Sequence, residues 1–256
     1  MVEAPQSLVH ASFARDGYVV CRGLVGADRC TQMRNAVLGA LDPLQGPAEF
    51  EADVGYAGAP PSRTALGGET PRRLLNLYSR DAAFREWATG DDVRAWLLAL
   101  TEARQAWMSQ CHHNCVMTKQ PGHSSRTAWH QDVRYWSFDR PELVSAWLAL
   151  GEEREENGAL SVIPGSHRTE LDRGRLDQHL FLRPELAENQ ALIDSAVSVE
   201  LAPGDVLFFH CRLFHAAGMN RSDQVKLSVV HTYYFDDNRP IPGTRSAQYP
   251  SIRLET

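Results

Sequence analysis

The chain has 256 residues, enough to bury the core of one barrel-type domain, and its 43% hydrophobic and 23% charged content is that of a soluble globule. A net charge of −6 and a pI near 5.9 argue against a nucleic-acid partner, which would favour a basic face. No apolar run reaches membrane-spanning length, residues 1–6 lack the pattern of a signal peptide, and Cys21, Cys30, Cys111, Cys115 and Cys211 show no framework spacing. A cytoplasmic protein with free thiols is the expectation.

Near the start a helix is predicted to stop at Asp16-Gly17, with Tyr18–Cys21 as a short β-branched strand. A second helix is expected from Asp28, which can cap it, with Cys30, Met33, Val37, Leu38 and Leu41 at helical spacing and an end before Pro43. Residues 42–71 are rich in Gly, Pro and Ala without a period, and read as a flap over one end of the fold. Residues 72–78 fit a strand or a helix start. Two helices follow, around 82–88 and 91–104. The second carries Val93, Trp96, Leu97 and Leu100 as its apolar stripe, with Asp91 or Asp92 where a cap belongs.

After about residue 106, short β runs separated by turn residues take over: 107–119, 128–138, 143–150, 159–163, 196–201, 206–210 and 226–235. Asn157-Gly158 between two apolar runs predicts a hairpin, and the acidic stretch 152–156 before it a solvated turn. The chain reads as one α+β domain with a mainly β core: helix-rich 1–105, a β-barrel over about 106–236, and a C-terminal tail 237–256.

Within 128–138, His130 and Asp132 are separated by one residue. On a strand they would share a face, about 6–7 Å apart at Cα. An imidazole, a carboxylate and a second, distant imidazole form the facial triad of non-haem Fe(II) sites with open positions. A structural hydrogen-bonded pair is the alternative. Among His167, His179, His210, His215 and His231, His215 is favoured, because it follows an apolar strand and an irregular link and adjoins the small Ala216, Ala217 and Gly218. His210 directly ends a buried strand and reads as core. If the strand stays regular, Arg134 and Trp136 share the face of His130 and Asp132. Arg134 is then a candidate for an anionic substrate group, with Arg72 and Arg73 weaker candidates. The Cys111–Cys115 stretch superficially suggests zinc, but on a strand its two cysteines lie about 13 Å apart at Cα, too far to share one ion. Strand parity sets His113, Cys115 and Met117 on one face, with Lys119 next.

Several segments, in order, resemble the phytanoyl-CoA dioxygenase family of Fe(II)/2-oxoglutarate-dependent oxygenases. They are Phe13-Ala14-Arg15-Asp16-Gly17-Tyr18-Val19-Val20, His130-Gln131-Asp132-Val133-Arg134-Tyr135-Trp136, Ser145-Ala146-Trp147-Leu148-Ala149-Leu150, Asn157-Gly158-Ala159-Leu160 running on to Pro164-Gly165-Ser166-His167, Gly204-Asp205-Val206-Leu207 leading to His215, and Leu227-Ser228-Val229-Val230-His231. The resemblance implies a double-stranded β-helix, a jelly-roll barrel buttressed by N-terminal helices. It implies His130, Asp132 and His215 as iron ligands, and 2-oxoglutarate and O2 as co-substrates. The retained Asp132 points away from halogenating relatives, which replace that carboxylate.

For the co-substrate's distal carboxylate the family usually supplies an Arg eleven residues after the distal His; here that position is Lys226, a departure. Lys lacks the bidentate fork of Arg but still pairs with a carboxylate. Ser228 follows on the same face, and Trp147 occupies a position that lies near 2-oxoglutarate in the family. The resemblance also turns the face of His113, Cys115 and Met117 toward the co-substrate. Lys119 and Trp136 are then pocket-lining candidates toward a small-molecule substrate. Arg221 is an alternative cation, and core packing an alternative role for Trp147. The expected reaction is oxidation of an unactivated C–H, typically hydroxylation, with release of succinate and CO2. Natural-product tailoring by cyclisation, epimerisation or desaturation stays open, as does a cupin-like metal-binding or sensing protein without turnover.

Overall fold

Helices come first and strands dominate after residue 106, as the change of period predicts. The computed structural model describes residues 6–255, so the expectation for residues 1–5 lies outside them. The first part holds α1 (Gln6–Asp16), β1 (Tyr18–Cys21), α2 (Ala27–Leu41), β2 (Ala48–Phe50), β3 (Pro71–Leu75), α3 (Ala82–Thr89) and α4 (Asp91–Thr101). The barrel follows with β4 (Ala106–Ser109), β5 (Cys115–Lys119), β6 (Thr127–His130), β7 (Val144–Ala149) and β8 (Leu160–Val162). After it come α5 (Ala187–Ile193), β9 (Val197–Ser198), β10 (Val206–His210), β11 (His215–Ala217), β12 (Lys226–Phe235) and β13 (Ile252–Arg253). Among the described residues no helix is long and apolar enough to cross a membrane.

Two antiparallel sheets make the double-stranded β-helix. The larger, nine-stranded sheet runs β1-β10-β7-β12-β5-β3-β2, with β4 pairing β12 and β13; the smaller runs β6-β11-β8-β9. β7 is buried at every position because its two faces meet different layers. Val144, Ala146 and Leu148 pack with Met33, Phe84, Leu97 and Leu100 of the helices. Trp147 and Ala149, at the opposite parity, join Leu160, Val162, Leu213 and Ala217 inside the barrel. β10 divides the same way, Phe208 toward the helices and Leu207 and Phe209 inward. The helices thus seal the outer face of the large sheet and leave its inner face to the site.

Several local expectations are corrected. Gly26 and Gly90, not Asp28 and Asp91 or Asp92, occupy the N-cap positions of α2 and α4; the acids lie in the first turns, where they complement the helix dipole. Leu38 is 38% exposed, while Ala40 joins Cys30, Met33 and Val37 in the core, and α4 ends at Thr101. The predicted strand 107–119 is broken at 110–114, where His113 takes a positive φ of 30°. The predicted strand 128–138 ends at His130, and Asp132–Tyr135 is a 3-10 turn pinned by Val133 N donating to Cys211 O at 3.1 Å.

Asn157-Gly158 forms a turn, with Gly158 at φ +81°, but no hairpin. β7 and β8 belong to different sheets. The crossing is held by Glu153 and Leu201, which exchange backbone hydrogen bonds of 2.8 and 3.0 Å. The C-terminal segment also belongs to the fold: β13 pairs β4, and Ser246 Oγ accepts from Ser137 N at 2.8 Å.

Candidate metal centre

His130 ends β6 and His215 begins β11, and the two are paired residues across that strand junction. Asp132 opens the 3-10 turn that follows β6, so the turn brings its carboxylate back toward both rings. Asp132 Oδ1 lies 3.8 Å from His130 Nε2 and 3.7 Å from His215 Nε2. One ligand atom from each of the three residues falls within 4.8 Å of the others, and all three residues are buried. His130 Nδ1 lies 2.9 Å from Ala128 O, and His215 Nδ1 lies 3.0 Å from Leu213 O. A carbonyl only accepts, so each Nδ1 carries the proton and each Nε2 presents a lone pair to the centre. Asp132 Oδ2 is buried without a hydrogen-bond donor. Two aimed lone pairs and an orphaned carboxylate oxygen fit a divalent cation bound by imidazole and carboxylate.

Electrostatics keep these groups in the ligating form. Burial, then the facing His215, hold the His130 imidazole well below its ordinary value, so it is neutral. Burial pushes the Asp132 carboxyl upward, but His113, His215 and His130 together hold it below the usual carboxylate range. His113, although off the strand, reaches the site with Nδ1 3.5 Å from Asp132 Oδ2 and 3.4 Å from Ser145 Oγ. Burial lowers its imidazole to about 4.

His130 and Asp132 line two adjoining cavities, and His215 lines one of them. The inner one is lined by Arg72, Arg73, Met117, Lys119, Trp147 and Lys226 together with the triad and His113. Its polar end carries two buried ammonium groups, a destination that fits the far carboxylate of a 2-oxo acid. The outer one is lined by Tyr56, Arg134, Tyr135, Trp136, Phe181 and Arg245, again with His130 and Asp132. Arg134 and Trp136 therefore reach the site, but through the 3-10 turn and not by strand parity. The Arg134 guanidinium lies 3.7 Å over the Phe181 ring and 4.4 Å over Tyr135, and its Nη1 has no hydrogen-bond partner. Gly55 and Tyr56, from the Gly-rich stretch, close this cavity from one side.

The remaining candidates divide. Met117 lines the inner cavity, with Arg73 Nε 3.2 Å from its sulfur. Cys115 is buried outside the cavity lining, its thiol pushed up to about 12 by burial. Ser228 is fully buried behind the wall. Arg72 is held by Ser125 Oγ and Thr127 Oγ1 at 3.0 and 3.1 Å. His210 packs against Phe13 and His167, away from the triad. No zinc site forms at Cys111–Cys115; among the described residues the triad is the one metal-competent cluster.

Glu153 overturns the reading of 152–156 as a wholly solvated turn. It is 1% exposed, while Glu152, Glu155 and Glu156 are exposed. Its carboxylate accepts from Lys226 Nζ at 3.0 Å, from Ser228 Oγ at 2.6 Å and from Trp147 Nε1 at 3.1 Å. Four acids in a five-residue stretch carry no local sign of which one turns inward. Tyr56, Phe181 and Arg245 were equally invisible, the first two placed by loops and Arg245 by a short 3-10 turn.

A family profile described as phytanoyl-CoA dioxygenase (PhyH) matches residues 13–228. An ectoine dioxygenase from Sphingopyxis alaskensis is 26% identical over 249 residues, covering 90% of this chain and 76% of that protein. A probable phytanoyl-CoA dioxygenase from Caenorhabditis elegans is 31% identical over 137 residues, 49% of this chain and 42% of its own length. The chain thus spans less than half the length of that relative. In fold it is similar to the nogalamycin-biosynthesis epimerase SnoN, with a TM-score of 0.73 at 23% identity over 93% of this chain and 85% of SnoN. EctD from S. alaskensis, solved with 2-oxoglutarate and 5-hydroxyectoine, gives a TM-score of 0.73 at 21% identity over 93% of this chain and 78% of its own. The profile match over most of the length makes the chain a member of the phytanoyl-CoA dioxygenase (PhyH) family.

Proposed function

We propose that this chain oxidises an unactivated C–H bond of a small, anionic organic substrate, with His130, Asp132 and His215 as the iron ligands. The buried triad, with His130 and Asp132 lining both of two adjoining cavities, supports this reading. The inner cavity takes the 2-oxo acid toward the buried lysines, and the outer one takes the substrate. When bound, the iron with 2-oxoglutarate and O2 supplies the oxidising power, with succinate and CO2 as co-products. The protein's part is positional. His130 and His215, each oriented by a backbone carbonyl, hold two coordination sites, and Asp132 a third. Arg134, its Nη1 unpartnered, receives an oxyanion of the substrate, and Trp136 and Phe181 exclude water beside it. Helices, barrel and C-terminal tail act as a single catalytic unit. The acidic chain and its five free cysteines support a cytoplasmic enzyme of small molecules, with no nucleic-acid or membrane partner.

Asp132→Ala and His215→Ala are each expected to abolish Fe(II)-dependent succinate formation from 2-oxoglutarate. Turnover surviving in both would remove the ligand assignment. Product masses divide the chemistries: gain of one oxygen means hydroxylation, loss of two hydrogens ring closure or desaturation, and no change epimerisation. The SnoN epimerase likeness keeps the last among the outcomes to look for.

A further inference from the structure

Lys226 and Ser228 are the donors expected around the distal carboxylate of the co-substrate, with Trp147 expected nearby, and all three already serve a carboxylate of the protein itself. Glu153 Oε2 accepts from Lys226 Nζ at 3.0 Å, Oε1 accepts from Ser228 Oγ at 2.6 Å, and Trp147 Nε1 donates to both oxygens at 3.1 Å. The pair is sealed, with Lys226 2% and Glu153 1% exposed at the side chain. Opening it would strand an uncompensated buried charge, which is strongly unfavourable. A second carboxylate placed against the same donors would meet the charge of Glu153 at short range.

One other cation faces the same space. Lys119 and Lys226 are paired residues across β5 and β12, so their side chains leave the same face of the sheet, and both line the inner cavity with the triad. Lys119 is 7% exposed, and among the described residues its Nζ makes one hydrogen bond, to Ser125 O at 2.9 Å. The other inner-cavity cations have carboxylates: Lys226 has Glu153 at 3.0 Å, Arg72 has Glu51 at 3.7 Å, and Arg73 has Glu49 at 3.4 Å. Among the described residues Lys119 has none within ion-pair distance. Burial and the neighbouring Arg72 and Lys226 lower the Lys119 amine to about 7, and such a buried amine with spare N–H groups and no counter-charge is a site that an incoming carboxylate completes.

We infer that Lys119 receives the distal carboxylate of the 2-oxo acid, and that the Glu153–Lys226 pair is a fixed, self-neutralised wall beside it. This rests on the reading of the chain as an Fe(II)/2-oxoglutarate oxygenase. It moves the carboxylate-binding role from the position eleven residues after His215 to the neighbouring strand.

The test is anaerobic binding to the Fe(II)-loaded protein, followed by the charge-transfer absorption of the metal–oxo-acid complex. Two acids are titrated: 2-oxoglutarate and 2-oxopentanoate, which has the same chain length without the distal carboxylate. Wild type is expected to prefer 2-oxoglutarate by on the order of 10- to 100-fold, the worth of one charge-assisted hydrogen bond. Lys119→Met is expected to bring the two acids level while 2-oxopentanoate affinity stays, and Lys119→Arg to restore the preference. Glu153→Leu with Lys226→Met removes the wall pair without stranding a charge, and is expected to keep the preference. Loss of preference in that double variant with retention in Lys119→Met would overturn the inference, as would retention in both. If wild type binds neither acid, the oxygenase reading itself falls, an outcome distinct from wild type binding normally and Lys119 proving silent.

Discussion

Buried titratable side chains divide here into those with a ligand to hold and those with none. His130 and His215 each give their Nδ1 proton to a backbone carbonyl and keep Nε2 for the centre. His231 has no partner at either ring nitrogen and is fully buried, and burial lowers its pKa from 6.5 to about 3. The unfolded chain takes up this proton first, so its contribution to stability is complete above 6.5 and lost as pH falls from 6.5 toward about 3. His231→Leu should flatten that acid slope by one proton, about 1.4 kcal/mol per pH unit. Denaturant midpoints of the metal-free protein across the acid range check it; an unchanged slope would mean that His231 protonates in the native state. His130, Asp132 and His215 were expected together from residue type and from the family resemblance, and the structure does group them. The inward turn of Glu153 was not legible, because Glu152, Glu153, Glu155 and Glu156 in a loop offer no periodicity to read.

At the scale of elements, turns decide what strands present. Strand parity predicts that His130, Asp132, Arg134 and Trp136 share a face, yet the strand ends at His130 and a 3-10 turn carries the rest. The residues still meet, by a different route, because the turn is anchored across the barrel by Val133 N to Cys211 O. Pro203-Gly204 is the opposite case, a turn legible from its residues. Gly204 has φ +90°, and a Cβ there would overlap Val25 O, whereas Gly23 at φ +61° has open space around it. Gly204→Ala is expected to cost about 2–3 kcal/mol, a Tm drop of roughly 5–10 °C, against about 1 kcal/mol for Gly23→Ala. Equal melting temperatures for the two variants would refute the steric argument.

For the molecule as a whole, the candidate metal site joins strands β6 and β11, so an ion bound there would add to the stability of the barrel. A divalent ion at a hundred times its Kd should add about 2.7 kcal/mol, raising Tm by roughly 5–10 °C. Asp132→Ala should show no such rise. Without metal it should melt somewhat lower than wild type, since His113, His215 and His130 hold the Asp132 carboxyl below the usual range and the native state therefore stabilises its charge. Thermal melts with and without a chelator measure both expectations, and a metal-induced rise in Asp132→Ala would place the ion elsewhere.

Residue order alone settled what depends on composition and short-range pattern. It located helices before a β core and offered His130, Asp132 and His215 as candidate ligands, which the fold brings together. Those features survive because apolar period and residue chemistry act locally. Tertiary structure decided the rest: that β7 and β8 lie in different sheets, that Tyr56, Phe181 and Arg245 close the outer cavity, and that Glu153 turns inward to meet Lys226. Each of these brings together residues far apart in the chain, where burial and ion pairing outweigh local preference. The Lys226 ammonium is sealed inside the barrel, and a carboxylate from a loop 73 residues away neutralises it at a cost that no local pattern registers.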